Sequence, residues 1–338
     1  MSKLIQIDGL DGGGQMLRTA LSLAMITGRP FRITRIRGAR AKPGLMRQHL
    51  TCVKAACEIS GGSADGAEIG STELVFRSGK VRGGSYHFAI GTAGSTSLLL
   101  QTLLPALLRA GAPSTLRLEG GTHNPQAPPF DFLDRVFLHT LRRMGAEVRA
   151  DLISAGFAPA GGGVIECSIQ PCERLQALHL TERGDIGETH IRVLLRQLPR
   201  SIAERIIAAA KELFPEAPAS IEELAAGVNP GIHCLVETCF PNGGIEIASG
   251  FGGQNITAER VGIQAAKSMH RFLSCGAPVG RHLGDQLLLP FALAGGGSFI
   301  TQSPDSHLDT NIAVIEKFLP VRFTVTPADH GARHVSVG

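Results

Sequence analysis

His307 stands in a short polar stretch between two apolar segments near the end of the chain. A predicted strand over 298–302 precedes this stretch, and a predicted helix over 312–319 follows it. Strand-to-helix connections often hold catalytic groups on a rigid scaffold. Asp309 or Thr310 is a suitable N-cap for the helix, and a helix N-terminus favours anions. An imidazole at this place is suited to act as a nucleophile or general base on phosphate. On this stretch alone, a loop histidine without chemistry is the simpler interpretation.

A second group of residues suited to phosphate lies near the start of the chain. The run between residues 32 and 47 contains no acidic residue, and its basic residues are Arg32, Arg35, Arg37, Arg40, Lys42 and Arg47. Gly38, Pro43 and Gly44 predict a loop there, not an exposed helix face. The alternatives are a solvated loop and a loop that binds a polyanion, and the absence of acids favours the polyanion.

Composition excludes several classes of protein. The 338 residues are 43% apolar and 18% charged, which argues against disorder. Tryptophan is absent and there is one tyrosine, which argues against an aromatic platform for stacking RNA bases. The seven cysteines contain no CxxC pair, so their spacing predicts reduced thiols and not a zinc finger. With no leader or membrane-spanning run, we predict a cytoplasmic protein without membrane contact.

The elements that must position these residues follow a repeating pattern. A strand, a glycine-rich turn and a helix recur, and the turns precede the helices near Gln15, Gln101 and Gln286; the helix of the third copy is predicted over 287–294. The pattern predicts an α+β fold in which three strand–helix–strand–helix–strand–strand units form a large domain, residues 1–181 and 277–338. A smaller α/β domain, residues 182–276, interrupts the third unit. We expect the active cleft where the repeats meet the insert.

Several stretches resemble the RNA 3′-terminal phosphate cyclase family: residues 11–18, 37–50, 120–129, 159–163, 285–294 and 307–312. The resemblance extends from Ile5 to about Phe323. It implies three βαβαββ units with one inserted small domain. It also implies that ATP and a divalent metal, Mg²⁺ or Mn²⁺, convert an RNA 3′-phosphate to a 2′,3′-cyclic phosphodiester. The implied route passes through a histidine–AMP adduct and an RNA-adenylate anhydride, and it releases AMP and pyrophosphate.

The resemblance also implies roles for individual residues. His307 would be the catalytic nucleophile. The RNA and phosphate set would be Arg18, Arg37, Arg40 and Gln48. The ATP set would be Gln101, Pro128, His282, Asp285 and Gln286, and the metal set Asp11 and Asp285. Asp11 stands where the family usually has a glutamate. His282 has a smaller ring than the tyrosine of some members.

Each role has a structural alternative. Arg18 is equally suited to an ion pair on a helix surface, and Asp285 to a charge at a helix N-terminus. His49 and His123 lie in motif loops, but lone histidines are more often packed or solvated, so neither is predicted to belong to the site.

Two other functions compete with the cyclase. One is a non-catalytic RNA-binding or ribosome-assembly scaffold, whose relatives look like the same fold without the histidine. The other is an enolpyruvyl-transferase-like enzyme, which also uses repeated βαβαββ units. The presence of His307 together with Arg37, Arg40 and Asp285 favours the cyclase. Its partners would be ATP and RNA with a 3′-phosphate end, and a homodimer is an open alternative.

Overall fold

The protein is described by a computed structural model that covers residues 3–302 and 307–338. Residues 303–306 of the polar stretch before His307 therefore lie outside the described residues. Within the described part of the chain, the strands form four four-stranded sheets. Each sheet combines one parallel pairing with two antiparallel pairings.

The first sheet has the strand order β1-β2-β4-β3. Its elements are β1 (Ile5–Asp8), α1 (Gly14–Thr27), β2 (Phe31–Thr34), α2 (Arg47–Ser60), β3 (Ser63–Asp65) and β4 (Leu74–Arg77). Ile5 and Ile7 are buried while Gln6 and Asp8 are exposed, as expected for a strand with one face on the core. The parallel partner β2 places Phe31 opposite Ile5.

The second sheet has the order β5-β6-β8-β7. Its strands and first helix are β5 (Ser85–Ala89), α3 (Thr96–Leu107), β6 (Ser114–Gly120), β7 (Val148–Ser154) and β8 (Gly163–Ile169). The helical stretch between β6 and β7 consists of α4 (Phe130–Phe132), a π-helical segment (Leu133–Leu138) and α5 (His139–Arg143). The predicted hairpin of β7 and β8 is confirmed, since these strands pair antiparallel.

The next elements include a sheet with the order β11-β10-β12-β13. They are β9 (His179–Leu180), β10 (Thr189–Arg196), α6 (Arg200–Lys211), β11 (Ala219–Glu223), β12 (Gly231–Cys239), β13 (Ile245–Phe251) and α7 (Ala258–Cys275). The sequence did not predict β10 and β11.

The last elements form a sheet with the order β15-β16-β14-β9. They are α8 (Arg281–Ala294), β14 (Gly297–Thr301), α9 (His307–Phe318), β15 (Phe323–Pro327) and β16 (Arg333–Val337). Strand β9 pairs parallel with β14, so the strand before β10 and the strand after α8 lie side by side.

Two helix starts differ from the predictions by more than two residues. Helix α8 begins at Arg281 and not at Leu287, which puts Asp285 inside the helix. Helix α9 includes His307, so Asp309 and Thr310 lie in its first turn and the predicted N-cap role for them is wrong. The Thr310 hydroxyl instead donates to the His307 carbonyl oxygen at 3.1 Å, a back-bond common for threonine inside helices.

The buried apolar side chains form two separate cores. The larger core contains residues from three of the sheets and only a few from β10–β13. Helix α1 lies at its centre and packs against α2, α3 and α9. The smaller contains residues between Ile191 and Phe272 and includes the facing sides of α6 and α7. All seven cysteines carry free thiols. No described helix is both long enough and apolar enough to cross a bilayer.

The close approach of α6 and α7 gives a test of the predicted domain boundaries at 182 and 276. A Cβ added at Gly262 would lie 2.2 Å from the Ile206 carbonyl oxygen, so Gly262→Ala must separate the helices. We expect a loss of about 1–3 kcal/mol of unfolding free energy. If 182–276 folds as its own unit, calorimetry will show two transitions, and the substitution will lower only one of them. Gly111→Ala is the matched control because nothing lies within 4 Å of its Cβ. A single transition that shifts as a whole would contradict the boundaries.

Candidate functional site

A cleft of about 1270 Å³ lies between the two cores. One wall comes from α1, α2, α3, α8 and α9 and from the loop before α4. The other wall comes from β13 and α7, including Glu246, Phe251 and Gln264. The cleft therefore lies between the 246–272 stretch and the helices that carry the predicted site residues.

The cleft brings together residues that are far apart in the sequence. All of the predicted site residues except Asp11 line it, namely Arg18, Arg37, Arg40, Gln48, Gln101, Pro128, His282, Asp285, Gln286 and His307. Asp11 is exposed, and the described residues that line the cleft do not include it. The structure gives these residues a common location, and their individual roles stay predictions.

His307 faces the glycine loop that opens α1. A Cβ added at Gly13 would lie 3.9 Å from His307 Nε2 and 3.2 Å from Arg40 Nη2. The imidazole nitrogen and the guanidinium therefore approach the same stretch of backbone. A loop without side chains, next to a helix N-terminus, leaves room for a phosphate group beside both.

His49 belongs to the same wall, although it was excluded at the sequence level. A Cβ added at Gly14 would lie 2.1 Å from His49 Nε2 and 3.0 Å from Arg18 Nη1. The Met46 amide donates to His49 Nδ1 at 3.2 Å. Burial, assisted by the charges of Arg18 and Arg37, lowers the pKa of His49 to about 3. Its ring is therefore neutral and adds no charge between the arginines. Its place directly after Gln48 in the 37–50 motif was the available signal.

The arginines create a strongly positive wall. Burial lowers the pKa of Arg18 and of Arg37, where the Arg40 charge adds to the effect. Both remain charged, because guanidinium stays protonated in proteins. In the part of the chain that the structure describes, none of the three arginines forms an ion pair with a carboxylate. Cations held near one another without counter-charge favour a bound anion.

Hydrogen bonds fix the helices that carry the polar side chains. Gln101 Nε2 on α3 donates to Gln286 Oε1 on α8 at 2.5 Å. Asn311 on α9 accepts from the Thr19 hydroxyl of α1 at 2.7 Å and donates to the Asp285 carbonyl oxygen at 3.2 Å. These bonds tie α1, α3, α8 and α9 together at the edge of the cleft.

Arg37 and Gln48 are held by the backbone. The Arg37 guanidinium donates to the carbonyl oxygens of Lys42 at 2.7 Å and Gly44 at 3.0 Å. Gln48 Oε1 accepts from the Ser95 amide at 3.0 Å. The basic loop and α2 are thus attached before any ligand binds, which lowers the entropic cost of binding.

Glu246 contributes a carboxyl from the opposite wall that the sequence analysis did not find. It accepts from the Gly280 amide at 3.1 Å and from the Ile247 amide at 3.2 Å. Gly280 immediately precedes α8, so this side chain links β13 to the helix that carries Asp285. Burial raises the pKa of Glu246 to about 8 although both amide bonds oppose the shift. Nothing in its sequence context distinguishes it from other glutamates.

The carboxylates available to a divalent metal are few. Among the described residues that line the cleft, the acidic ones are Glu246 and Asp285. Glu246 holds its proton near neutral pH, which leaves Asp285. Mg²⁺ is usually held by one or two carboxylates together with substrate phosphates and water, so the donor set fits a metal that enters with a nucleotide.

Comparison with known proteins agrees with the motifs. A family model described as RNA 3′-terminal phosphate cyclase matches residues 10–325. The chain is 49% identical over 327 residues to the RNA 3′-terminal phosphate cyclase of Ectopseudomonas mendocina (strain ymp), and the match covers 96% of this chain and 95% of that protein.

Two solved structures are distant likenesses of this chain. The enolpyruvyl transferase NikO from Streptomyces tendae matches with a TM-score of 0.36 at 11% identity, over 99% of this chain and 48% of that one. EPSP synthase from Acinetobacter baumannii matches with a TM-score of 0.34 at 13% identity, over 100% of this chain and 65% of that one. This chain thus spans about half and about two thirds of their lengths, and such scores carry no structural argument.

The buried carboxyl of Glu246 makes stability depend on pH. The folded state keeps a proton up to about pH 8, whereas the unfolded chain releases it near pH 4.5. The unfolding free energy of the wild type should therefore fall as the pH rises from about 4.5 to about 8, by a few kcal/mol at most. Glu246→Gln cannot ionise, so its unfolding free energy, measured in urea, should decline less over this interval. Exposed Glu68→Gln is the control and should follow the wild type. Parallel pH profiles for all three proteins would show that Glu246 ionises normally.

Proposed function

The chain belongs to the RNA 3′-terminal phosphate cyclase family, and we propose that it uses ATP to convert an RNA 3′-terminal phosphate to a 2′,3′-cyclic phosphodiester. The observation that carries this proposal is the position of His307 Nε2, beside the glycine loop of α1 and close to Arg40. A nucleophile next to cations without carboxylate partners, in a cleft of about 1270 Å³, suits attack on a nucleoside triphosphate.

The first step forms a covalent adenylate. The lone pair of His307 Nε2 attacks the α-phosphorus of ATP, a P–N bond forms, and the bond to the pyrophosphate oxygen breaks. Pyrophosphate leaves with the bonding electrons. The neighbouring Arg40 guanidinium stabilises the negative charge that accumulates on the phosphoryl oxygens.

The next steps transfer the adenylate and close the ring. An oxygen of the RNA 3′-phosphate attacks the adenylate phosphorus, and the P–N bond breaks to restore the His307 lone pair. The adjacent 2′-hydroxyl then attacks the 3′-phosphorus, loses its proton to solvent and expels AMP. This last step is intramolecular, so correct positioning of the RNA end supplies most of its acceleration.

The remaining residues divide between the two substrates. Arg18, Arg37, Arg40 and Gln48 bind the RNA terminal phosphate and ATP phosphates, because planar guanidinium groups suit bidentate contacts to phosphate oxygens. The nucleotide is held by Gln101, Pro128, His282, Asp285 and Gln286. Their common location around one cleft supports a shared site for the two substrates.

Asp285 would hold a Mg²⁺ or Mn²⁺ ion together with the ATP phosphates. When bound, such an ion neutralises charge on the pyrophosphate leaving group. Asp11 is exposed outside the cleft lining, so a role for it in metal binding would be less direct, for example through water.

The architecture we propose is three βαβαββ units, with residues 182–276 inserted in the third. Three sheets support it because they share one plan. In each, two parallel strands are followed by two antiparallel ones, in the orders β1-β2-β4-β3, β5-β6-β8-β7 and β9-β14-β16-β15. The fourth sheet lies within the inserted segment. A cytoplasmic location and a homodimer also remain predictions.

The nucleophile has a direct test. Wild-type protein incubated with α-labelled ATP and Mg²⁺ should form an acid-labile protein–AMP adduct, and His307→Ala should reduce its formation by at least about a thousandfold. His190→Ala is the control, because His190 is exposed and does not line the cleft. RNA ending in a 3′-phosphate should discharge the wild-type adduct, whereas RNA ending in a 3′-hydroxyl should not.

An undiminished adduct in His307→Ala would refute the mechanism. Absence of an adduct in the wild type would favour the scaffold alternative.

The glycine loop provides a test of the RNA-binding set. Gly14→Ala should displace His49 and Arg18, since its Cβ would meet both side chains, while alanine suits the first turn of α1. We expect kcat/KM for cyclisation of 3′-phosphate RNA to fall about 10- to 100-fold, with a smaller effect on adduct formation. Gly111→Ala should match the wild type in both assays. Equal losses in both steps would place Arg18 in the ATP set.

A further inference from the structure

A buried cluster of metal-binding side chains lies at the junction of the two cores, outside the proposed mechanism. It consists of His123 in the loop after β6, Asp131 in α4 and His233 in β12. One ligand atom from each residue lies within 4.8 Å of the others, and all three residues are buried. None of them lines the cleft.

The spacing of two of these atoms suits a shared cation. His123 Nε2 and Asp131 Oδ2 are 3.2 Å apart. Two ligand atoms that each lie about 2.0–2.2 Å from one Zn²⁺ ion are separated by roughly 3 Å or slightly more in tetrahedral geometry. The pair could therefore bind one ion with little movement of either side chain.

His233 is the observation that calls for a ligand. Its side chain is fully buried, and neither ring nitrogen has a hydrogen-bond partner among the described residues. It stacks on Phe251 at 4.3 Å and meets the His123 ring edge-on at 5.3 Å. A neutral imidazole has a lone pair on one ring nitrogen, which can bind a cation. A buried imidazole without a partner is costly unless something else satisfies it.

The surroundings provide the outer contacts that metal ligands usually have. His123 Nδ1 lies 2.8 Å from the Thr122 hydroxyl, whose oxygen also accepts from the Gly156 amide at 2.8 Å. A second lone pair on that oxygen can accept the Nδ1 proton, which frees Nε2 to bind a cation. Arg192 contacts Asp131 through Oδ1 and leaves Oδ2 directed to His123.

Arg192 also supplies the strongest argument against an ion, because its positive charge already balances Asp131. That guanidinium contacts Glu222 as well, at 3.3 Å, so two carboxylates share it. One Asp131 oxygen still faces the cluster, and His233 has no hydrogen-bond partner among the described residues, so a cation can be accommodated there.

We propose that His123, Asp131 and His233 bind a divalent transition-metal ion, with Zn²⁺ the best match to two imidazoles and one carboxylate. The ion would connect the 121–131 loop, which carries Pro128 of the cleft, to β12 of the 182–276 segment. Its role would be structural, as a link between the two cores. The proposal is independent of the cyclase reaction.

The test measures binding of Zn²⁺ alone to the full chain after chelator treatment and dialysis. We expect wild-type protein to bind one more equivalent of Zn²⁺ than His233→Phe, by calorimetric titration and elemental analysis. Phenylalanine retains the ring that stacks on Phe251 and removes both nitrogens. His190→Ala is the matched control, since His190 is exposed on β10 of the same sheet. Bound Co²⁺ should give visible absorption in wild type and His190→Ala and not in His233→Phe.

Stability separates loss of the ligand from loss of the fold. Without metal, His233→Phe should melt at or above the wild-type temperature, because it removes a buried imidazole without partners. Added Zn²⁺ should raise the melting temperature of wild type and His190→Ala only. If His233→Phe misfolds, Asp131→Asn is the second variant and should bind Zn²⁺ at least about 10-fold more weakly. Equal Zn²⁺ content and equal thermal shifts in wild type and folded variants would overturn the proposal.

Discussion

The burial of α1 in the larger core determines where the site can form. Leu17, Leu21 and Ala24 of this helix are fully buried, and the helix packs against α2, α3 and α9. The glycines at the N-terminal end of α1 differ from these residues, because the free amide groups there need partners. This end opens into the cleft, and residues of α2, α3 and α9 line the same cleft. Gly13 lies there beside both His307 and Arg40.

The charged residues of the cleft are mostly arginines, and burial neutralises one of the two described acidic residues that line it. Arg18, Arg37 and Arg40 keep their charge without carboxylate partners in the described structure, while His49 between them is neutral. On the opposite wall, burial keeps the Glu246 carboxyl protonated near neutral pH. The cleft is therefore more positive than the net charge of +4 suggests. A ligand with several phosphate charges is the natural complement.

The 182–276 segment does more than enclose the cleft. Glu246 joins β13 to the start of α8 through the Gly280 amide. On the other side, Arg192 and His233 meet Asp131 of α4. Each contact joins this segment to an element that also carries a cleft residue. Polar groups at both junctions therefore help to set the relative position of the two walls of the cleft.

The sequence alone was sufficient for most of the strands and helices, because apolar periodicity and glycine turns are local signals. It also indicated many of the cleft residues, among them His307, Arg37 and Arg40, because they lie in motifs that resemble one family. It did not predict the start of α9, because the polar first turn of that helix has no apolar period. Nor did it find Glu246 and the His123–Asp131–His233 cluster. Burial and partners decide the chemistry of these residues, and both depend on chain segments that only the tertiary structure brings together.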